Sequence, residues 1–209
     1  SDIMMPGISG YEVCKTLKGD IKTCHIPVIL LTAKIGKESQ IEGFEAGADI
    51  YITKPFDFEV LEAQIRSLIN NRNRMVERFR GNIDFQEVVS EFTSLDEQFL
   101  KKAIRLIENN ISNPDFNLTA FQEEMCVTSS MLYRKFKALT GMPPLEFIRK
   151  IRLEAAVEIM KRKKCSTSEI AYAVGYNDPK YFSNSFKKVY GMLPSEYMEK
   201  YHSGSEKKS

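Results

Sequence analysis

Apolar positions in this chain change period partway along it. Ile26-Pro27-Val28-Ile29-Leu30-Leu31 is a continuous apolar run rich in branched residues, which predicts a buried strand. Asp49-Ile50-Tyr51-Ile52-Thr53 predicts a second. Between them, Lys37 to Ala46 has helical spacing at Ile41, Phe44 and Glu45 and is closed by Gly47. A strand, helix and strand of this length form a βαβ unit, which implies a parallel sheet. Tyr11 to Leu17 is a further helix candidate. Asp57 opens a long helix with Leu61, Ile65, Leu68, Met75 and Phe79 at steps of four and three, where Arg72 is the polar interruption. Residues 82–94 are acidic and irregular and predict a linker. From there the period is helical throughout, over 95–110, 118–125, 129–139, 144–163, 167–174, 179–189 and 195–201. Ser94 to Glu97 and Ser166 to Glu169 have the spacing of capping boxes. Asp178-Pro179 offers a cap followed by proline at the first helical position. Residues 202–209 are small and charged and predict a disordered tail.

The helical part contains a repeat. Phe136-Lys137 is followed by Gly141-Met142, Pro144, Glu146 and Phe147; Phe186-Lys187 is followed by Gly191-Met192, Pro194, Glu196 and Tyr197. Leu132 and Phe182 share one offset, Thr128 and Asp178 another. A fixed internal period means one supersecondary unit used twice. Each copy is a short apolar helix, a tight turn and a basic helix, the helix-turn-helix pattern whose second helix enters a DNA major groove.

The totals add little until they are divided along the chain. The net charge is +2 over 209 residues. Residues 1–81 balance 11 basic against 11 acidic side chains, whereas 128–209 carry 16 against 8. The positive surplus therefore lies in the repeated segment, as a polyanionic partner requires. Cys14, Cys24, Cys126 and Cys165 form no C-x-x-C pair and only two histidines exist, so a zinc site is not expected. They read as reduced, mostly buried thiols of a cytoplasmic protein. No apolar run approaches the ~20 residues that span a bilayer, and no signal-peptide pattern opens the chain.

Residues 95–201 resemble the AraC/XylS family of bacterial transcription regulators. The stretch that carries the resemblance runs from Ile170 through Ala171-Tyr172-Ala173-Val174-Gly175-Tyr176-Asn177-Asp178-Pro179 to Phe186-Lys187-Lys188, closed by Gly191-Met192 and Pro194. It follows Arg152-Leu153 and Ala155-Ala156 at the family's distance. The resemblance implies seven helices in two subdomains joined by one rigid helix, 144–163, with the recognition helices reaching successive major-groove faces roughly 34 Å apart. Leu132, Phe136, Phe182 and Phe186 recur at i and i+4 and are the inward anchors. The outward face of the first recognition helix is expected to carry Ser130, Met131, Tyr133, Arg134 and Lys137. That of the second is expected to carry Lys180, Ser183, Asn184 and Lys187. Arginine reads guanine and asparagine reads adenine by paired hydrogen bonds, whereas the late lysines suit phosphates. On the tether, Arg149, Lys150 and Arg152 are exposed helix charges that could touch the DNA backbone or equally contribute nothing.

Residues 1–81 resemble the C-terminal part of a two-component receiver domain. Asp2-Ile3-Met4-Met5-Pro6-Gly7 with Gly10 resembles the phosphoacceptor turn, Leu31-Thr32-Ala33 the switch threonine, and Tyr51 with Lys54-Pro55-Phe56 the switch aromatic and phosphate-binding lysine. The resemblance implies that Asp2 accepts a phosphoryl group, Thr32 bonds it, Lys54 pairs with it and Tyr51 swings inward. A carboxylate nucleophile needs such a cation and hydroxyl around the developing charge. The family's earlier strand–helix units and the acidic pair that holds Mg²⁺ have no counterpart here, so no metal or cofactor is expected in this fragment and Mg²⁺ only in an intact receiver. Such a cut would leave Ile26–Thr32 with an unpaired edge, and Leu61, Ile65, Leu68, Met75 and Phe79 have steps compatible with a coiled-coil seam; both predict self-association through residues 1–81, the alternative being that this helix merely covers the remaining strands.

The expected fold class is mostly α: a truncated α/β receiver of two or three parallel strands over 1–81, a linker over 82–94, and an all-α domain with two helix-turn-helix motifs over 95–201. The whole resembles the C-terminal end of the hybrid two-component regulators of Bacteroidetes, and a stand-alone response regulator would share the same pattern. The expected function is sequence-specific transcription regulation gated by phosphorylation at Asp2; the alternative is a phosphorylation-gated protein-interaction module. Expected partners are double-stranded DNA, a histidine kinase domain and, as a further candidate, RNA polymerase. An upstream sensor region would anchor the parent in the inner membrane. No nucleophile–base constellation is present, and neither His25 nor His202 has catalytic neighbours, so an enzyme is not expected.

Overall fold

The computed structural model describes residues 1–33, 36–81, 89, 94–162 and 165–205. These divide into two compact units: Ser1–Lys101 with Ser130–Gly141, and Lys102–Ser129 with Met142–Ser209. The helix over the first half of the repeat thus clusters with the strand-bearing part of the chain. The expected linker, 82–94, lies outside the described residues apart from 89 and 94.

In the first unit, β1 (Ile29–Thr32) pairs in parallel with β2 (Ile50–Thr53), Ile29 opposite Ile50 and Thr32 opposite Thr53. The strand starts later than Ile26 because Pro27 has no N–H to give to a ladder. The Val28 N–H instead donates to the Asp49 carboxylate at 2.8 Å. On the other side of β1, Ile3 N–H donates to the Leu31 carbonyl at 2.9 Å and Leu31 N–H to the Ser1 carbonyl at 2.7 Å. Strand β1 is therefore flanked on both sides, and the expected unpaired edge over 26–32 is not there.

Helix α1 (Gly10–Gly19) begins at a capping box formed by Ser9 and Glu12. Helix α2 (Lys37–Glu45) forms where expected but faces the other way. Its Ile41 and Phe44 are exposed, and Gly43 is buried. A Cβ on Gly43 would stand 2.7 Å from the Tyr51 ring, so the missing side chain is what lets α2 approach the sheet. Helix α3 (Phe58–Arg80) is capped by Asp57, whose carboxylate accepts from Glu59 N–H at 2.7 Å. Its Leu61, Ile65, Leu68, Arg72 and Met75 are half-buried and Phe79 is fully buried. The core under the sheet is Ile3, Tyr11, Cys14, Val28, Leu30, Ala48 and Tyr51. Helix α4 (Ser94–Asn109) brings Phe99 within 5.6 Å, centroid to centroid, of Phe136.

In the second unit, α5 (Leu118–Met125) is capped by Asn117, and α6 (Ser129–Thr140) belongs to the first unit from Ser130 on. The long α7 (Pro144–Arg162) packs on α8 (Thr167–Ala173), α9 (Pro179–Tyr190) and α10 (Pro194–Ser205) through Leu153, Ala156, Met160, Ile170, Val174, Phe182 and Phe186. Helix α8 starts at the expected Ser166–Glu169 capping box, and α9 at the Asp178 cap with Pro179 in its first turn. Helix α10 runs on to Ser205, beyond the expected end at 201. Of the four thiols Cys14 and Cys24 are buried, Cys165 is half-buried and Cys126 is exposed.

Candidate functional site

Two groups of side chains carry chemistry. The first lies at the C-terminal ends of the strands. Lys54 follows β2, and its ammonium donates to Asp2 Oδ2 at 2.5 Å. Met4 N–H donates to the other oxygen, Oδ1, at 3.3 Å. The Lys54 hydrogen bond holds the Asp2 carboxyl below its ordinary range, against a smaller opposing effect of burial. Thr32 ends β1, is fully buried, and its carbonyl accepts from Lys54 N–H at 2.6 Å. Tyr51 is buried under α2. It stands beside Tyr11, whose hydroxyl donates to the Ser39 carbonyl at 2.9 Å. Burial first, and the Tyr51 hydroxyl second, push the Tyr11 phenol up to about 12. The structure thus brings Asp2 and Lys54 into contact, with Thr32 one ladder position away and Tyr51 buried.

Magnesium takes about six oxygen ligands, of which carboxylates and substrate phosphates are usual. Here Asp2 offers one carboxylate, and the Lys54 ammonium sits on one of its oxygens. Among the described residues no group of three His, Cys, Asp or Glu side chains is placed to hold a metal ion.

The second group is the pair of helices expected to read DNA. On α6, Ser130, Tyr133, Arg134 and Lys137 are exposed. Met131 is not; it is buried, at 5% exposure, beside Leu132. The outward assignment of Met131 fails because the apolar stripe of α6 is wider than its aromatic and leucine anchors suggest. On α9, Lys180, Asn184 and Lys187 are exposed. Ser183 is half-buried and its hydroxyl donates to the Pro179 carbonyl at 2.8 Å, so its proton is committed to its own helix.

The charges on α7 also differ from expectation. Arg152 donates to the carbonyls of Asn113 at 2.6 Å and Gly175 at 3.1 Å, so it clamps the turn before α9 rather than facing solvent. Lys150 is buried and lies 3.7 Å from Glu154. Arg149 donates to the exposed Tyr181 hydroxyl at 2.9 Å. Tyr181 stands three residues before Asn184 on α9.

The cluster that sequence reasoning missed entirely is Lys135 with Asp96. Lys135 is fully buried and its ammonium lies 2.7 Å from Asp96 Oδ1. Its place three residues after Leu132 and four before Leu139 puts a lysine inside the apolar stripe, a visible irregularity in the pattern.

Comparison with known proteins agrees with this division. Residues 1–66 match the response regulator receiver domain, and residues 122–200 a helix-turn-helix domain. Histidine kinase P4 of Formosa agariphila is 40% identical over 201 residues, 96% of this chain but 15% of that protein. The uncharacterized transcriptional regulatory protein YesN of Bacillus subtilis is 39% identical over 104 residues, 48% of this chain and 28% of that protein. The C-terminal domain of the two-component response regulator yesN from Fusobacterium nucleatum is 31% identical over 48% of this chain and 98% of its own, at a TM-score of 0.45. The chain thus spans a small part of the curated relatives it matches. Residues 1–66 are thus of the receiver type and residues 122–200 form an AraC-type helix-turn-helix domain, in that order. Among the described residues no helix is long and apolar enough to cross a membrane.

Proposed function

We propose that α6 and α9 read duplex DNA in the major groove and that, in the intact protein, phosphorylation of Asp2 gates this binding. The observation that carries the reading is that both helices separate a buried apolar stripe from an exposed polar face: Leu132 and Phe136 against Arg134 and Lys137, Phe182 and Phe186 against Asn184 and Lys187. Arg134 and Asn184 sit mid-helix on the exposed face and are the base readers, flanked by Ser130, Tyr133, Lys180 and Ser183. Lys137 and Lys187 lie in the last turns and neutralise phosphates. The test is fluorescence anisotropy on a duplex selected from a random pool. Arg134→Ala and Asn184→Ala are expected to cost ~1–3 kcal/mol each and to relax preference at one or two base pairs. Lys137→Ala and Lys187→Ala are expected to weaken binding to every duplex and to lower the salt slope by about one each. Four mutants that behave alike would refute the division.

At the receiver site, Lys54 neutralises charge on the group that Asp2 accepts, Thr32 bonds it, and the phosphoryl donor is a histidine kinase domain. With the Lys54 ammonium seated on the Asp2 carboxylate, these residues load poorly. Intact-mass measurement after a small phosphodonor and Mg²⁺ should show no stoichiometric adduct, and an adduct on Asp2 would contradict this. DNA as a partner places the protein in the cytoplasm, with RNA polymerase as a further contact at promoters and the parent's sensor at the inner membrane. Self-association through residues 1–81 rests on exposed apolar side chains, Ile41 and Phe44 on α2 and Phe58, Val60 and Ile69 on α3. Light scattering that finds a monomer would remove it.

A further inference from the structure

The Lys135 ammonium has three hydrogens and three acceptors, drawn from two distant parts of the chain. Asp96 Oδ1 on α4 lies at 2.7 Å, the Ile21 carbonyl at 2.7 Å and Cys24 Sγ at 3.0 Å. The Cys24 thiol in turn reaches Asp96 Oδ1 at 3.3 Å, which closes the cluster. The Phe99 ring stands 5.0 Å from the ammonium. Ile21 and Cys24 belong to the turn between α1 and β1, in the receiver-type part, and Asp96 and Lys135 to the helical domain. A buried ammonium is tolerated only where each hydrogen finds a partner. General apolar packing would need no such arrangement, so the turn and the helix are matched to one another. Buried charge pairs of this kind fix which surfaces meet more than they add stability.

We propose that the turn over 20–26 is a docking surface for the first recognition helix, and that the docked arrangement is the weaker DNA-binding state. It rests on the DNA-binding reading above. Met131 lies one turn before Lys135 on the same flank of α6, and both are buried. This flank adjoins Arg134, the proposed base reader. His25, the next residue after Cys24, is held below its ordinary pKa first by burial and then by the charge of Lys135, with Asp96 opposing and Arg72 and Arg134 adding. The major groove is ~12 Å wide and a helix with its side chains ~10–12 Å across, so a segment seated on that flank competes with the groove wall. Release of the turn would free the flank, and DNA would favour release by the same factor that release favours DNA.

Cys24 reports on docking in the unaltered chain, because its thiol is buried and bonded to Lys135 and Asp96. The experiment is alkylation of the full chain by a maleimide, with and without saturating selected duplex, read by peptide mass mapping. Cys14, fully buried in the receiver-type core, serves as the internal control. Duplex is expected to raise the rate at Cys24 by about 5–150-fold, the usual range of a coupling, and to leave Cys14 unmodified. Bound duplex, shown by anisotropy in the same sample, with Cys24 unchanged or slower would overturn the proposal. Absence of any duplex binding would instead overturn the DNA-binding reading and this proposal with it. As a second variant, Cys24→Arg sets a cation against Lys135 and Arg72. It should raise duplex affinity by at least about fivefold; unchanged or weaker affinity with the circular dichroism spectrum retained would also refute it.

Discussion

Replacing Asp96 by leucine removes the carboxylate 2.7 Å from a fully buried ammonium. Lys135 would keep the Ile21 carbonyl and the Cys24 sulfur, neither of which carries a compensating charge. At an effective dielectric constant of ~20, a pair at this distance attracts by ~6 kcal/mol before desolvation is counted. Measured losses on breaking a buried pair from one side run to ~3–5 kcal/mol, because the surviving charge stays buried. Lys135→Met strands Asp96 in the same way and should cost a similar amount. The double variant Asp96→Leu with Lys135→Met leaves no charge behind, and should lie within ~1–2 kcal/mol of the parent. The non-additivity is therefore the signature, a coupling near or above the ~3 kcal/mol at the top of the usual range. Urea unfolding followed by circular dichroism measures it. Thermal scans should show each single variant melting ~6–20 °C lower, at ~2–4 °C per kcal/mol for a chain of this size. Sodium chloride at ~1 M should leave the coupling nearly intact, since buried pairs are screened far less than exposed ones such as Arg66 with Glu62. Single variants that each cost under ~1 kcal/mol and simply add would refute the buried pair and, with it, the matching of turn to helix.

Phe186→Ala should cost ~3–5 kcal/mol and abolish specific duplex binding, because Phe186 is fully buried and touches the rings of Phe182, Tyr190 and Tyr197; a thermal midpoint within a degree or two of the parent would contradict this. Gly175→Ala should destabilise the second unit in the same scans. Gly175 has φ +76°, and a Cβ there would stand 2.5 Å from the Ile111 carbonyl oxygen and 2.9 Å from Arg152. His25 supplies the pH dependence. Burial first, then the charge of Lys135, holds its pKa below the ordinary value of about 6.5, with Asp96 opposing and Arg72 and Arg134 adding. Its contribution is whole above pH ~6.5 and is lost as the pH falls toward the lower folded value, because the unfolded chain takes the proton first. Urea midpoints should fall between pH 7 and pH 5 in the parent and fall less in His25→Gln; equal slopes would clear His25.

The local signals in the sequence led to the right elements wherever one face of one element decided the matter. The two capped starts at Ser166 and Asp178, the strands around Ile29 and Ile50, and the anchors Phe136, Phe182 and Phe186 stand where their spacing puts them. Errors fell where a second element changed which face was covered. Ile41 and Phe44 have core spacing, yet α2 meets the sheet through Gly43, and a residue without a side chain leaves no mark in an apolar pattern. Arg152 has the look of a solvated helix charge, and its carbonyl partners at Asn113 and Gly175 lie in turns whose approach no periodicity encodes.

Lys135 shows how a violated pattern carries information. A lysine at a position that Leu132 and Leu139 mark as inward either swings out to water or finds partners inside. The sequence could offer Asp96 for this, 39 residues away, but could not single it out among the acidic side chains of 1–125. It gave still less reason to choose Cys24, 111 residues away, because a thiol in an apolar setting reads as a small hydrophobe. Yet the same lysine sits between Arg134, which the exposed face offers to DNA, and Phe136, which the core holds. Its partners come from both the helical domain and the receiver-type turn. A residue in that position cannot be neutral to both: whatever shifts the turn over 20–26 shifts an acceptor of Lys135, and the helix that carries Arg134 must answer.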